Sequence, residues 1–224
     1  MDLAKQYDNF SDDFSTNQDI GENSNRMNRE LFWAGLEFVK PGMKLLDLAC
    51  GDGLDLAHYQ ELGADIYGLD ASEELLKIAA TRVPKENLKV GLFEDLPFDN
   101  EFFDVVLSKY ALQTSKDIQP AFAEIHRVLK SGGIMMYLVT HPFRQYFERR
   151  EISGDYFEQI IVDSHILNDT VTVQEPTHTI AEYLNSFLFE KFDVQMYDER
   201  WDPAAECIDG RKYPGFFILK AKKR

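Results

Sequence analysis

The chain has 224 residues, a formal net charge of −15 and a hydrophobic fraction of 44%. That length builds one sizeable core or one domain with a cap, and the apolar fraction speaks against disorder. The charge argues against a partner gripped through its phosphates, since Lys and Arg contacts dominate nucleic-acid affinity, and no apolar run approaches the roughly 18 residues that span a bilayer.

Residues 1–20 are polar with aromatic punctuation at Tyr7, Phe10 and Phe14, a spacing that puts three rings on one face of a short helix. Residues 24–39 read as a longer helix, with Ser24 or Asn25 as N-cap and Pro41-Gly42 as the stop. A strand–helix alternation follows. Strands are expected at about 43–48, 64–69, 88–92, 102–107 and 133–140, with helices at 53–62, 72–82 and 117–130. Ser72 caps the second of these helices, and Lys130-Ser131-Gly132-Gly133 makes the turn before the last strand. Such alternation implies a parallel sheet covered on both faces, with right-handed crossovers.

Beyond residue 141 the pattern changes. Residues 142–150 read as a helix, two β-leaning stretches lie near 157–162 and 170–174, and a helix is expected over 178–189. Two final strands, near 192–199 and 214–221, flank the loop WDPAAECIDGRKYP. The basic cluster Lys220, Lys222, Lys223 and Arg224 reads as a solvated tail. Two cysteines, Cys50 and Cys207, are too few for a disulfide framework. The polar, acidic start MDLAKQYDNFSDDF does not read as a signal peptide, so a cytoplasmic setting is expected.

The chemistry concentrates at LLDLACGDG, residues 45–53, and GLDAS, residues 68–72. A buried strand runs into a glycine loop, and the next strand ends on a carboxylate, Asp70. A dinucleotide fingerprint would read G-x-G-x-x-G so that backbone closes on a pyrophosphate. Here the third glycine position is Leu56, and Asp47, Asp52 and Asp55 crowd the loop with negative charge. Such a loop repels a pyrophosphate and suits a ligand with cationic groups. S-adenosylmethionine has a sulfonium, an ammonium and a ribose diol that wants a carboxylate. Cys and His have no spacing that suits zinc, and no metal is expected.

Further motifs follow in order: FEDLPF at 93–98, FFDVVLSKYAL at 102–112 and FAEIHRVLKSGG at 122–133, then IMMYLVT. With them, residues 43–140 resemble a class I S-adenosylmethionine (SAM)-dependent methyltransferase of the small-molecule type with a UbiE-like core. The resemblance implies an α/β, three-layer, Rossmann-like fold: a seven-stranded, mostly parallel sheet with an antiparallel C-terminal hairpin. It implies one domain over 1–224, divided into an N-terminal helical lid (1–40), a SAM-binding core (41–140), a cap insert (141–178) and a C-terminal helix and hairpin (179–224). Asp47 would meet the donor's amino group through water, and Ala49, Gly51 and Gly53 would form the loop beside its methionine part. Asp70 would accept both ribose hydroxyls, and Ala71 would leave space beside the adenine. Asp95 would face the adenine amino group with the Leu96 N–H nearby, next to Glu94. Ser108, Lys109 and Tyr110 would lie beside the sulfonium. Tyr7, with Phe14, either belongs to a lid closing over the donor or packs an aromatic stripe on the core.

The resemblance implies no fixed base, so candidates for the acceptor side come from placement. His141 follows the fifth strand, held by Pro142 at its carboxyl end. His178 precedes a helix that could roof the pocket, and Tyr110 ends the fourth strand. These three are the catalytic candidates. His126 reads as structural, and His58 and His165 have no special placement. Residues 143–175 are dense in aromatics, as a lid that selects an acceptor by shape would be, or a dimer contact. The expected activity is methyl transfer from SAM to O or N of a small organic molecule, leaving S-adenosylhomocysteine, by a monomer or homodimer with no nucleic-acid or membrane partner. The alternatives are a tRNA or protein methyltransferase, and a SAM-binding module without catalysis. A nicotinamide dehydrogenase is disfavoured by Leu56 and the acid-rich loop.

Overall fold

Successive side chains of a strand point to opposite faces, so continuous apolar strands must be covered on both sides. In the computed structural model, which describes residues 3–18, 20, 24–167, 169–202, 207 and 210–224, the core divides in this way. Strands β1 (Lys44–Leu48), β2 (Asp65–Asp70), β3 (Leu88–Val90), β4 (Phe103–Lys109) and β5 (Leu129–Thr140) pair in parallel. Leu46, Leu48, Val106, Met135 and Tyr137 pack in one buried cluster with Phe122 and Ile125 of helix α5 (Gln119–Val128). Their neighbours Leu45, Val105, Leu107, Met136 and Leu138 pack in another. That cluster takes in Phe32 of α2 (Ser24–Ala34), Leu56 and Tyr59 of α3 (Leu54–Glu61) and Leu76 and Ala79 of α4 (Glu73–Ala79).

Two antiparallel strands, β8 (Phe192–Arg200) and β9 (Phe216–Lys223), complete a seven-stranded sheet of order β3-β2-β1-β4-β5-β9-β8. The order reverses between β1 and β4, and the crevice beyond the carboxyl ends at such a switch point is where open α/β sheets bind ligands. Helix α6 (Pro142–Arg149) and a separate antiparallel hairpin, β6 (Ile161–Ile166) with β7 (Val171–Pro176), rise over that edge. A 3-10 helix, Leu3–Asn9, and α1 (Ser11–Asn17) lie across from them. Tyr7, Phe10 and Phe14 meet edge to face, with Tyr7 at the centre, and pack on Ile166, Leu167, Val171 and Val173 of the hairpin. The Gln6 amide mimics a strand partner: it donates to Gln174 O at 2.9 Å and accepts from Gln174 N at 2.7 Å. Among the described residues no helix is long and apolar enough to cross a membrane.

Four sequence expectations need correction. The helix expected over 24–39 stops at Ala34, where the Gly35 N–H turns to Phe32 O in a tightened last turn. Residues 130–133 are not a turn: β5 already begins at Leu129, opposite Phe103, and the register shifts there around Gly132 at φ +76°. The helix expected over 178–189 is two, α7 (Ile180–Tyr183) and α8 (Ser186–Lys191), because Asn185 bonds both ends. Its Nδ2 donates to Glu182 O and its Oδ1 accepts from Leu188 N. The basic tail is not simply solvated. Residues to Lys223 belong to β9, and the buried Lys223 ammonium donates to Leu129 O at 2.7 Å.

Gly53 precedes α3 at φ +78°, and a Cβ there would lie 2.9 Å from Ala79 Cβ and 3.0 Å from its Cα. The start of α3 therefore packs on the end of α4 only because residue 53 lacks a side chain. Gly53→Ala combines a left-handed backbone with a steric clash, and is expected to cost about 2 kcal/mol, read as a lower urea midpoint with an unchanged m-value.

Candidate functional site

The carboxyl ends of β1, β2, β4 and β5, the N-terminal segment, α6 and the hairpin surround one cavity of about 1210 Å³. Small-molecule pockets usually hold about 300–1,000 Å³, so this one has room for two ligands side by side.

One half is built from the β1 and β2 loops. Ala49 and Tyr110, just beyond β1 and β4, both hold left-handed backbone, at φ 58° and 55°, and both line the cavity. Non-glycine residues with such backbone concentrate at functional sites. Asp70, the last residue of β2, is buried; its Oδ2 accepts from Gly51 N at 2.8 Å and its Oδ1 from Ser72 N at 2.9 Å. A carboxylate has about four acceptor positions, so two remain for a diol. Burial pushes the Asp70 carboxyl up to about 6, against the backbone N–H groups of Ser72, Gly51 and Ala71, which favour its charge. A Cβ on Gly51 would meet only Phe14 Cε1, at 3.5 Å, so bare backbone is presented to the cavity. Ala71, Glu94, Lys109 and Tyr7 also line it, Glu94 accepting from Ser115 Oγ at 2.6 Å. A rigid acceptor pair beside bare loop backbone fits the ribose and methionine parts of an adenosyl ligand.

The acid-rich loop is less negative than its sequence reads. Asp52 is met by Arg82 Nη1 at 2.9 Å and by Ser15 Oγ at 2.7 Å. Asp55 is 3.4 Å from Arg29, 3.3 Å from Lys109 Nζ and accepts from Trp33 Nε1 at 2.8 Å. Asp47 does not line the cavity. It lies buried behind Lys109 and Asp55, with its carboxyl pushed well up by burial.

Four other sequence candidates lie outside the cavity lining. Gly53 serves helix packing, as above. The Asp95 side chain is exposed, and the Leu96 N–H is committed to Glu124 Oε2 at 2.8 Å. Arg127 forks on that same Glu124 and also donates to Leu96 O and Phe98 O, so this loop is pinned to α5. Ser108 alternates with Lys109 along β4 and is buried on the opposite side.

Both histidines among the catalytic candidates lie in the protein interior. His141 is wholly buried: Nδ1 accepts from Phe143 N and caps α6, and Nε2 lies 3.3 Å from Glu199 Oε2. His178 is also buried, with Nε2 3.1 Å from Gln113 O and Nδ1 3.5 Å from Glu182. Neither lines the cavity. Tyr110 does, and its phenol accepts from Asn28 Nδ2 at 2.7 Å. Burial and the Asp202 charge push that phenol up, so it stays protonated.

The other half lies under the cap, where Phe147, Val162, Ser164, Glu175, Arg144 and Tyr213 line the cavity. Arg144 is held by Glu148 at 3.0 Å and Asp202 at 2.8 Å. No motif marks these residues. For all but Tyr213 the signal was regional, the aromatic density of 143–175.

A family model described as a methyltransferase domain matches residues 46–137. A 2-phytyl-1,4-naphtoquinone methyltransferase of Nostoc sp. is 31% identical over 204 residues, covering 87% of this chain and 84% of that protein. An uncharacterized methyltransferase of Synechocystis sp. is 41% identical over 105 residues, and the match spans 46% of this chain but only 50% of that protein. The fold is also that of an S-adenosylmethionine dependent methyltransferase from Mesorhizobium loti, with a TM-score of 0.69 at 23% identity over 87% of this chain and 96% of that one.

Hydrogen bonds from a ribose diol favour the ionised form of Asp70, so S-adenosylhomocysteine and a proton compete for it. Its dissociation constant should be flat above pH 7 and rise about tenfold per pH unit well below 6, with Asp70→Asn binding weakly and without that slope in calorimetry. The fold responds in the opposite sense. Because the folded pKa is raised, the Asp70 contribution to stability is greatest with the acid protonated and is lost as pH rises through about 6.

Proposed function

The chain belongs to the class I S-adenosylmethionine-dependent methyltransferase family, and from that premise we propose that it moves a methyl group from SAM to an oxygen or nitrogen of a small organic molecule. The observation that carries this reading is the cavity, which continues from the Asp70 loops to an aromatic half beneath the cap. SAM, when bound, supplies a methyl carbon that already bears its leaving group. The chain's own part is to bind, align and exclude water.

Asp70 and the Gly51 backbone hold the donor. Phe14 and Tyr7, packed on the hairpin, cover it from the N-terminal side, and this segment acts as the lid. Asp8 ties it to the donor loops, its Oδ1 accepting from Ser72 Oγ at 2.6 Å and from Glu74 N at 3.3 Å. Phe147, Tyr110 and Tyr213 give the second half planar walls that suit a ring-bearing acceptor. Relatives named for quinone methylation favour a small acceptor of that shape. A cytoplasmic setting accords with both cysteines being free thiols.

Calorimetry tests the donor half directly. The wild-type protein is expected to bind SAM and S-adenosylhomocysteine at micromolar levels. Asp70→Ala removes two charge-assisted hydrogen bonds and should weaken binding by about a hundredfold or more. Undiminished affinity in that variant would refute the role of Asp70. Labelled SAM with a panel of phenols, hydroquinones and amines tests the acceptor half. Transfer to RNA or protein substrates but to none of the panel would reject the small-molecule reading.

A further inference from the structure

With His141 and His178 committed to structural bonds, and the Tyr110 phenol held protonated, one buried carboxylate in the second half remains without an assigned role. Glu175 stands opposite Val162 in the hairpin and lines the cavity, although only 5% exposed. Its Oε1 accepts from Ser164 Oγ at 2.8 Å and from Gln145 Nε2 at 3.3 Å. Among the described residues no hydrogen bond reaches Oε2, and that oxygen is not fully occluded. One oxygen is therefore anchored, and the other is without a hydrogen-bond partner in a residue that lines the cavity.

The charged and titratable groups around Glu175 are Tyr7 from the N-terminal segment, Arg144 from α6, His178 beyond β7 and Tyr183 from α7. Arg144 and His178 favour its charge, but each is engaged elsewhere: Arg144 by Glu148 and Asp202, His178 by Gln113 O and Glu182. Tyr7, which lines the same cavity and packs on the hairpin, feels the charges of both Glu175 and Asp70. Burial lifts the Glu175 carboxyl above its ordinary range, which suits a group that must take up a proton.

We propose that Glu175 is the catalytic base, and that Oε2 selects ring-bearing acceptors carrying an aromatic hydroxyl. The assignment rests on the small-molecule reading above. The acceptor hydroxyl gives its proton to Oε2 while an oxygen lone pair bonds to the methyl carbon. The electron pair of the breaking carbon–sulfur bond stays on sulfur, which becomes a neutral thioether, and the glutamic acid later releases its proton to water. Ser164 and Gln145 are positioning residues, since they hold Oε1 and so aim Oε2.

Binding tests this without requiring turnover. With S-adenosylhomocysteine saturating, 2-naphthol should bind the wild-type protein about tenfold or more tightly than 2-methoxynaphthalene, since only the naphthol donates to a charged oxygen. Glu175→Ala should reduce that preference below about twofold while leaving the S-adenosylhomocysteine affinity unchanged, which also reports an intact fold. Glu175→Gln keeps the shape and the Oε1 bonds. In 13C-glutamate-labelled protein, the carboxyl resonance that this variant loses should titrate above the ordinary glutamate range and move to lower pH on adding 2-naphthol. An equal preference in wild type and variant, or a resonance titrating like an exposed glutamate, would overturn the base assignment and leave the small-molecule reading standing. Failure of the wild-type protein to bind either naphthalene would overturn the ring acceptor and the base together.

Discussion

The ligand end of the molecule depends on the two hydrogen bonds that hold the Asp70 carboxylate. One comes from the loop after β1, through Gly51 N–H, and the other from the turn after β2, through Ser72 N–H. A buried carboxylate is tolerated only when its oxygens are satisfied, so this pair fixes the distance between two loops that the sheet alone would leave loose. The same connection extends outward. Ser72 accepts from Leu75 N to cap α4 and donates to Asp8 of the N-terminal segment. Donor loops, helix and lid are thus joined by short polar contacts running through one strand end.

Around that point the electrostatics are balanced. Three aspartates in nine residues would repel one another if left bare. Arg82 arrives just beyond α4, Arg29 from α2 and Lys109 from the end of β4 to meet Asp52 and Asp55. Lys109 is buried, and burial pulls its ammonium down; Asp55 and the Asn25 side chain hold it in place. The negative charge that distinguishes this loop from a pyrophosphate-binding one is therefore offset by tertiary pairing at Asp52 and Asp55, which line the cavity together with Asp70.

The cap shows how burial decides what a titratable residue does. His141 and His178 stand next to prolines or helix starts at the ligand edge, where a base would be useful, yet both are sealed in, with one nitrogen on a backbone group and the other facing a glutamate. Glu175, from a separate hairpin, lines the cavity and keeps one oxygen without a hydrogen-bond partner among the described residues. A hairpin that packs on the N-terminal aromatic cluster and α6 can present such a group because it is not obliged to fill the sheet's core.

The sequence by itself determined the sheet core. Continuous apolar strands, the Ser72 cap and the Asp70 strand end follow from local patterning and hydrogen-bonding capacity, and the fold places them as that patterning requires. It also marked Ala49, Gly51, Ala71, Glu94, Lys109 and Tyr110, which share the cavity with Asp70 and Tyr7. It did not determine which face of a strand a polar residue serves: Ser108 and Lys109 are adjacent in the chain and lie on opposite sides of β4. Nor did it reveal that Asp47 sits behind the cavity wall, that Gly53 serves a helix contact, or that Leu96 N–H is taken by Glu124. Each of those outcomes depends on a partner tens of residues away, and pairings at that range are set by packing. The acceptor half, built from Arg144, Phe147, Ser164, Glu175 and Tyr213, was decided only when α6, the hairpin and Tyr213 came together around one cavity.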